Sequence, residues 1–158
     1  LINVVFSLDF SNIISKSDIK LLAEADEHEL VKDVQEFYSD YIAVAPHLFT
    51  VNVSNCYQGF HHWNQWALQR TTQGIISLLL SLRKCPAIRY QASSEICKRL
   101  AENLRQTIAR EGSLFDFQKA SSFGADVNTT PILLLLDRKS DPITPCLNQY
   151  FFFFNELF

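Results

Sequence analysis

The chain has 158 residues, 47% of them hydrophobic and 20% charged, with a net charge of -3. That suits one globular domain of ordinary size or pieces of two, and the acidic balance argues against a nucleic-acid surface, which needs a basic patch. Thirteen phenylalanines and no methionine, with apolar ends at Leu1 and at Phe151–Phe158, read as an internal fragment whose ends further sequence would cover.

In chain order, Ile2–Phe6 reads as a strand. Ser15-Lys-Ser-Asp18 has the form of a capping box, and Ile19, Leu22 and Ala23 follow at helical spacing, so a short amphipathic helix is predicted to about Ala25. Glu29–Tyr41 reads two ways. Val34, Phe37, Tyr38 and Tyr41 fit a helical period, while the β-branched and aromatic content suits a strand. Tyr41–Val44 and Leu48–Val53 are strand candidates separated by Pro46. Residues 1–54 therefore read as the later half of an alternating α/β unit.

Asn55–Trp66, without a period and with Gly59, reads as a loop and a domain boundary. Leu68–Leu82 is predicted to be an apolar helix ending at Arg83-Lys84, where basic residues meet the negative pole. Its longest apolar run, Ile75–Leu82, falls far short of the roughly 20 residues that cross a bilayer. Ala87–Tyr90 alternates as a strand. Ser93 or Ser94 caps a helix over Glu95–Glu111, with Ile96, Cys97, Leu100, Ala101, Leu104 and Ile108 as its apolar stripe and Gly112 as its stop. Phe115–Thr130 is a polar connection. Ile132–Leu136 then reads as a strand buried on both faces, followed by a charged turn and a helix that Thr144-Pro145 would start. Helix, strand, helix, strand, helix implies a parallel sheet flanked by helices.

An aliphatic strand ending in Asp137 resembles a Mg²⁺-binding strand of nucleotide hydrolases, but that chemistry needs a glycine-rich phosphate loop. None of Gly59, Gly74, Gly112 and Gly124 sits in one. A Mg-dependent nucleotide or phosphate hydrolase using Asp137 and Asp141 is the enzymatic alternative. The structural reading has both acids accepting from the turn's N–H groups and from the five-donor guanidinium of Arg138. Cys56, His61 and His62 are metal-ligand types in one loop without a second cluster, which makes a poor zinc site. Cys56, Cys85, Cys97 and Cys146 lack a Cys-x-x-Cys pair and read as free, buried thiols of a reducing compartment. His28 and His47 are isolated. Glu24, Asp26, Glu27 and Glu29 form a solvated acidic face. Asn52-Val-Ser and Asn128-Thr-Thr match the glycosylation acceptor triplet, which has no consequence in a cytosolic protein. On the residues alone this is a cytosolic α/β protein with no visible catalytic equipment, metal site or cofactor site.

Leu136-Asp137-Arg138, then Asp141, Thr144-Pro145, Leu147 and Gln149 resemble the signature of the SM (Sec-1/Munc-18) family. So do Phe10–Asp26, Val34–Tyr38, Asp40–Val44, Pro46–Phe49, Arg70-Thr-Thr-Gln-Gly74 and Leu79–Gln91. These blocks run in order through nearly the whole chain. The chain departs from the pattern at Cys146 (leucine in the family), at Tyr150 (tryptophan) and in Phe151–Phe154. The resemblance implies parts of two domains of a three-domain arch: residues 1–54 from the first, syntaxin-binding α/β domain and 55–158 from the start of the second. It also implies that Glu29–Tyr41 is partly strand. It implies a non-enzymatic, cofactor-free partner of a syntaxin-type SNARE and of the assembled SNARE bundle. Such a protein is cytoplasmic, peripheral on endosome, trans-Golgi and vesicle membranes, and held there through its syntaxin. The positions that correspond to the peptide-binding face are Ile19, Leu22, Ala23, Phe37 and Tyr38. Asp137, Arg138, Asp141, Thr144 and Pro145 become a structural joint between strand and helix. A divergent end would also fit an inactive remnant.

Overall fold

Apolar packing in this chain is concentrated between two helices, α2 (Gln65–Ser81) and α3 (Glu95–Arg110). The computed structural model describes residues 5–59, 62–117 and 130–147. Ile76 and Leu104 are the largest side chains sealed from solvent, and Leu79, Leu80, Cys97, Ala101, Phe115 and Leu135 close around them. The stripe expected on α3 is the one that packs here. Burying it offsets the conformational cost of ordering two long helices.

Before them, β1 (Phe6–Phe10), α1 (Lys16–Ala25) and β2 (Val31–Glu36) make a parallel β-α-β unit, with Ser7 opposite Asp33 and Phe10 opposite Glu36. The first strand starts where the predicted one ended; residues 1–4 lie outside the described residues. Ser15 caps α1 by accepting from the Asp18 N–H at 3.1 Å and donating to the Asp18 carboxylate at 2.7 Å. Asp26 ends α1: its carboxylate accepts from the N–H groups of Leu30 (3.0 Å) and Val31 (2.8 Å). Those two bonds span the turn in which Glu29 adopts a left-handed φ of 50°. Between the two readings of Glu29–Tyr41 the strand prevails, because pairing with β1 satisfies the backbone of Val31–Glu36.

The next strand candidates, β3 (Ile42–Ala45) and β4 (Leu48–Thr50), pair antiparallel across Pro46-His47. The stretch read as a loop contains a small hairpin, β5 (Tyr57–Gln58) and β6 (His62–Trp63), with Gly59 at φ +73° in its turn. That positive φ is cheap for glycine alone. Asn64 then accepts from the N–H of Trp66 and Ala67, so α2 starts at Gln65, earlier than the apolar pattern suggested. The helix ends with Arg83 at a left-handed φ of 52° while the Lys84 N–H donates to the Leu79 carbonyl.

Strand β7 (Ala87–Tyr90) pairs in parallel with β8 (Ile132–Leu135). Three expectations need correcting here. The strand predicted to be buried on both faces has only one covered side: Leu135 is buried against the helices, while Ile132, Leu134 and Leu136 are more than half exposed. Its covered side faces α3 and the apolar cluster that α2, α3 and Phe115 form. Second, the helix expected after the turn is a single 3-10 turn, Thr144–Cys146. Its N-cap position is Ile143, with no side-chain cap from the Thr144 hydroxyl, and the Asp141 carboxylate accepts from the Thr144 N–H at 3.0 Å. Third, although all four cysteines are free, only Cys97 is buried; Cys85 and Cys146 are exposed. Most of the connection predicted over Phe115–Thr130 lies outside the described residues, as do Gln149, Tyr150 and Phe151–Phe158.

Candidate functional site

Asp137 sits where β8 ends and the β5–β6 hairpin meets the start of α3. Its Oδ2 accepts from the Tyr57 hydroxyl at 2.7 Å and the Ser94 hydroxyl at 2.8 Å, and its Oδ1 accepts from the Lys139 N–H at 2.9 Å. Its own N–H donates to the Gln91 side-chain carbonyl at 3.1 Å. Ser94 is simultaneously the N-cap of α3, accepting from the Cys97 N–H. One carboxylate thus ties a hairpin, a helix start and a strand end that are 80 and 43 residues away in sequence. Lys139 adds its ammonium 4.8 Å from the centre of the Tyr57 ring.

The electrostatics follow from this geometry. Burial raises the Asp137 carboxyl, but the hydrogen bonds from Tyr57, the Lys139 backbone and Ser94 outweigh it and leave the group below the ordinary carboxylate range. Burial, together with donation to Asp137, pushes the Tyr57 phenol well above its ordinary value. Asp141 is lowered by its hydrogen bonds with Thr144, and the charge of Arg138 contributes last. The expected guanidinium network is absent: among the described residues Arg138 makes no ion pair with either acid. The turn's own N–H groups and the Tyr57 and Ser94 hydroxyls supply the donors instead. Asp137 and Asp141 therefore serve different bonds, and nothing on the described residues cradles a phosphate beside them. His61 lies outside the described residues; among those described, no three His, Cys, Asp or Glu side chains come together as metal ligands.

The other candidate surface is α1. It is exposed along its length: Ile19 and Ala23 face solvent and Leu22 is half-buried. Phe37, just past β2, is 52% exposed. Its neighbour Tyr38 turns the other way, packing against the α2–α3 core with its hydroxyl donating to Glu36 at 3.1 Å. Burial and the Glu36 hydrogen bond raise the Tyr38 phenol.

Sequence reasoning missed Tyr57 and Gln91 as partners of Asp137 and saw Ser94 only as a helix cap. The signal for Tyr57 was weak: aromatic residues in a stretch without a period.

A profile of the Sec1 family matches residues 3–152. The chain belongs to the Sec1 family. Human vacuolar protein sorting-associated protein 45 is 56% identical to it over 146 residues, which are 92% of this chain and 24% of the human protein. The solved structure of the SM protein Vps45 superposes with a TM-score of 0.79 at 46% identity, covering 92% of this chain and 27% of that one. The complex of Vps45 with the Qa SNARE Tlg2 (1-310) matches equally well, at 0.79 and 46%, over 92% of this chain and 26% of that one. The chain thus spans about a quarter of the length of the Sec1-family relatives it matches.

Proposed function

We propose that this chain is part of an SM-type protein that binds a syntaxin-type SNARE and promotes SNARE assembly in endosomal and trans-Golgi vesicle docking and fusion. The supporting observation is the match over 92% of the chain to Vps45, including Vps45 in complex with the Qa SNARE Tlg2. On this reading residues 1–54 belong to a first, syntaxin-binding domain and 55–158 begin a second. The protein acts by binding rather than catalysis, needs no cofactor, and works from the cytoplasmic side, reaching the membrane through its SNARE. No helix among the described residues is long and apolar enough to cross a membrane.

The surface proposed for an amino-terminal SNARE peptide is Ile19, Leu22 and Ala23 of α1 with Phe37. Exposed apolar anchors of this kind suit a short amphipathic segment, which gains affinity from a few buried side chains. Tyr38, though next in sequence, supports the junction with α2. The test is to titrate the full-length protein with the amino-terminal peptide of a Qa SNARE. Binding that weakens strongly in Ile19→Arg and Leu22→Arg is expected. Binding that both variants leave intact would remove the site from α1, and no binding to peptide or whole SNARE would remove the function.

A further inference from the structure

The block Arg70-Thr-Thr-Gln-Gly74 has no part in either surface described above, yet the chain's two halves meet there. One stripe of α2, at Arg70, Gln73, Gly74, Ser77 and Ser81, receives the segment around Asp40. Arg70 Nη1 donates to Asp40 Oδ2 at 2.9 Å and Nη2 to the Asp40 carbonyl at 3.2 Å, with both side chains about three-quarters shielded. Asn12, from the end of β1, donates its amide N–H groups to the same Oδ2 (2.8 Å) and to the Gln73 carbonyl (3.2 Å). The Asp40 N–H donates to the fully buried hydroxyl of Ser77 at 2.8 Å, and Tyr41 shares a hydrogen bond with Ser81. A Cβ at Gly74 would overlap the Val51 side chain and come within 3.3 Å of the Asp40 carbonyl, so only glycine permits this approach. The opposite stripe of α2 packs into the core with α3.

We infer that Asp40, Arg70 and Gly74 are positioning residues that fix the orientation of the first α/β unit on α2. The reason is geometric. Planar, forked hydrogen bonding constrains direction as well as distance, and it acts here together with a backbone approach that no other residue allows. Beside these contacts, only the half-buried Ile13 and Tyr38 of the first unit pack against the α2–α3 core among the described residues, and the covalent link runs through the β5–β6 hairpin. The functional part of the inference rests on the proposed SNARE binding. A peptide seated on α1 touches one unit, whereas a whole SNARE engaging both units needs them in a defined relation.

The experiment uses the full-length protein with spin labels at exposed Glu27 and Lys98, read by double electron–electron resonance. A single narrow distance distribution is expected for the parent, broadened or shifted in Arg70→Ala and Gly74→Val. Arg70→Lys should restore it only in part, because an ammonium cannot make the forked contact. Asp40→Asn provides a second variant should Gly74→Val not fold. Affinity for the amino-terminal peptide should stay unchanged in Arg70→Ala while affinity for the whole cytoplasmic SNARE falls several-fold. An unchanged distribution in folded Arg70→Ala and Asp40→Asn overturns the joint. A changed distribution with both affinities intact overturns its role in binding. If the parent binds neither peptide nor SNARE, the proposed function fails, and the distance measurement still decides the joint.

Discussion

The two halves of this chain are stabilised differently. From Ala67 to Leu135 the helices and β8 enclose a dense apolar cluster, whereas no described residue from Val5 to Trp66 is buried. The first half leaves Phe6, Leu21, Phe37 and Val44 about half exposed or more. Apart from Ile13 and Tyr38, which pack half-buried against the core, its elements are held by directed polar bonds at their ends: Ser15 and Asp26 around α1, and Asp40 against Arg70. Two long helices can cover each other, because their apolar stripes are locally encoded and face one another. A two-stranded pair with one crossover helix has too little surface to cover itself. Polar bonds then hold its geometry, though each contributes only modestly.

The contrast can be broken most directly in the core. Leu104→Ala should cost about 3 kcal/mol, transfer and cavity terms together, while Leu21→Ala on α1 should stay within about 0.5 kcal/mol. Amide hydrogen exchange in the full-length protein checks this, and comparable losses at the two sites would abolish the distinction.

Asp137→Ala is expected to cost about 2 kcal/mol, since two hydroxyls and a backbone N–H lose a charged acceptor. Its pH dependence sharpens the assignment. A carboxyl depressed below its ordinary 3.8 stabilises fully above that value and loses the contribution as pH falls through its folded pKa. A phenol raised above its ordinary 10.0 stabilises below that value and loses the contribution as pH rises through its folded pKa. Denaturant titrations should therefore show an acid limb that Asp137→Ala diminishes and an alkaline limb that Tyr57→Phe diminishes. Limbs that persist unaltered in the variants would place the titrating groups elsewhere.

Caps compare the halves at equal chemistry. Ser94→Ala and Ser15→Ala each remove a hydroxyl that accepts from the third helical N–H, a loss of about 1 kcal/mol. The effect should be larger at Ser94, whose partner Asp137 is half-buried, than at Ser15, whose partner Asp18 is exposed. Exchange of the first-turn amides of α3 and α1 measures both, and an equal response would mean that burial adds nothing to the Asp137 bond. The smallest effect is expected at Arg83. Relieving its left-handed backbone by Arg83→Gly should raise stability by about 0.5 kcal/mol, visible as a higher thermal midpoint; a fall would mean that the side chain matters more than the backbone.

Much of the second half is legible from the residues. The stripe on α3 and the alternation of Ala87–Tyr90 encode their own structure, since helix and strand periods differ and one apolar face selects one period. Gly59 and Ser15 mark a turn and a cap for equally local reasons. The family is legible too, in blocks spread from Phe10 to Leu147. The strand at Glu29–Tyr41 was not settled by its own period, because Val34, Phe37, Tyr38 and Tyr41 happen to keep helical spacing; pairing with β1 decided it. The exposure of Ile132 and Leu134 could not be read from an aliphatic run, since burial depends on what covers each face.

By itself, then, the sequence determined the element types in its strongly periodic stretches, the caps, the family and the importance of Asp137. Only the tertiary structure decided which donors Asp137 meets, why Arg138 is not among them, and that Arg70 faces Asp40. Periodicity and capping act within a few residues of chain. Hydrogen bonds between groups 30 to 80 residues apart depend on how separate elements pack, and no local pattern records that.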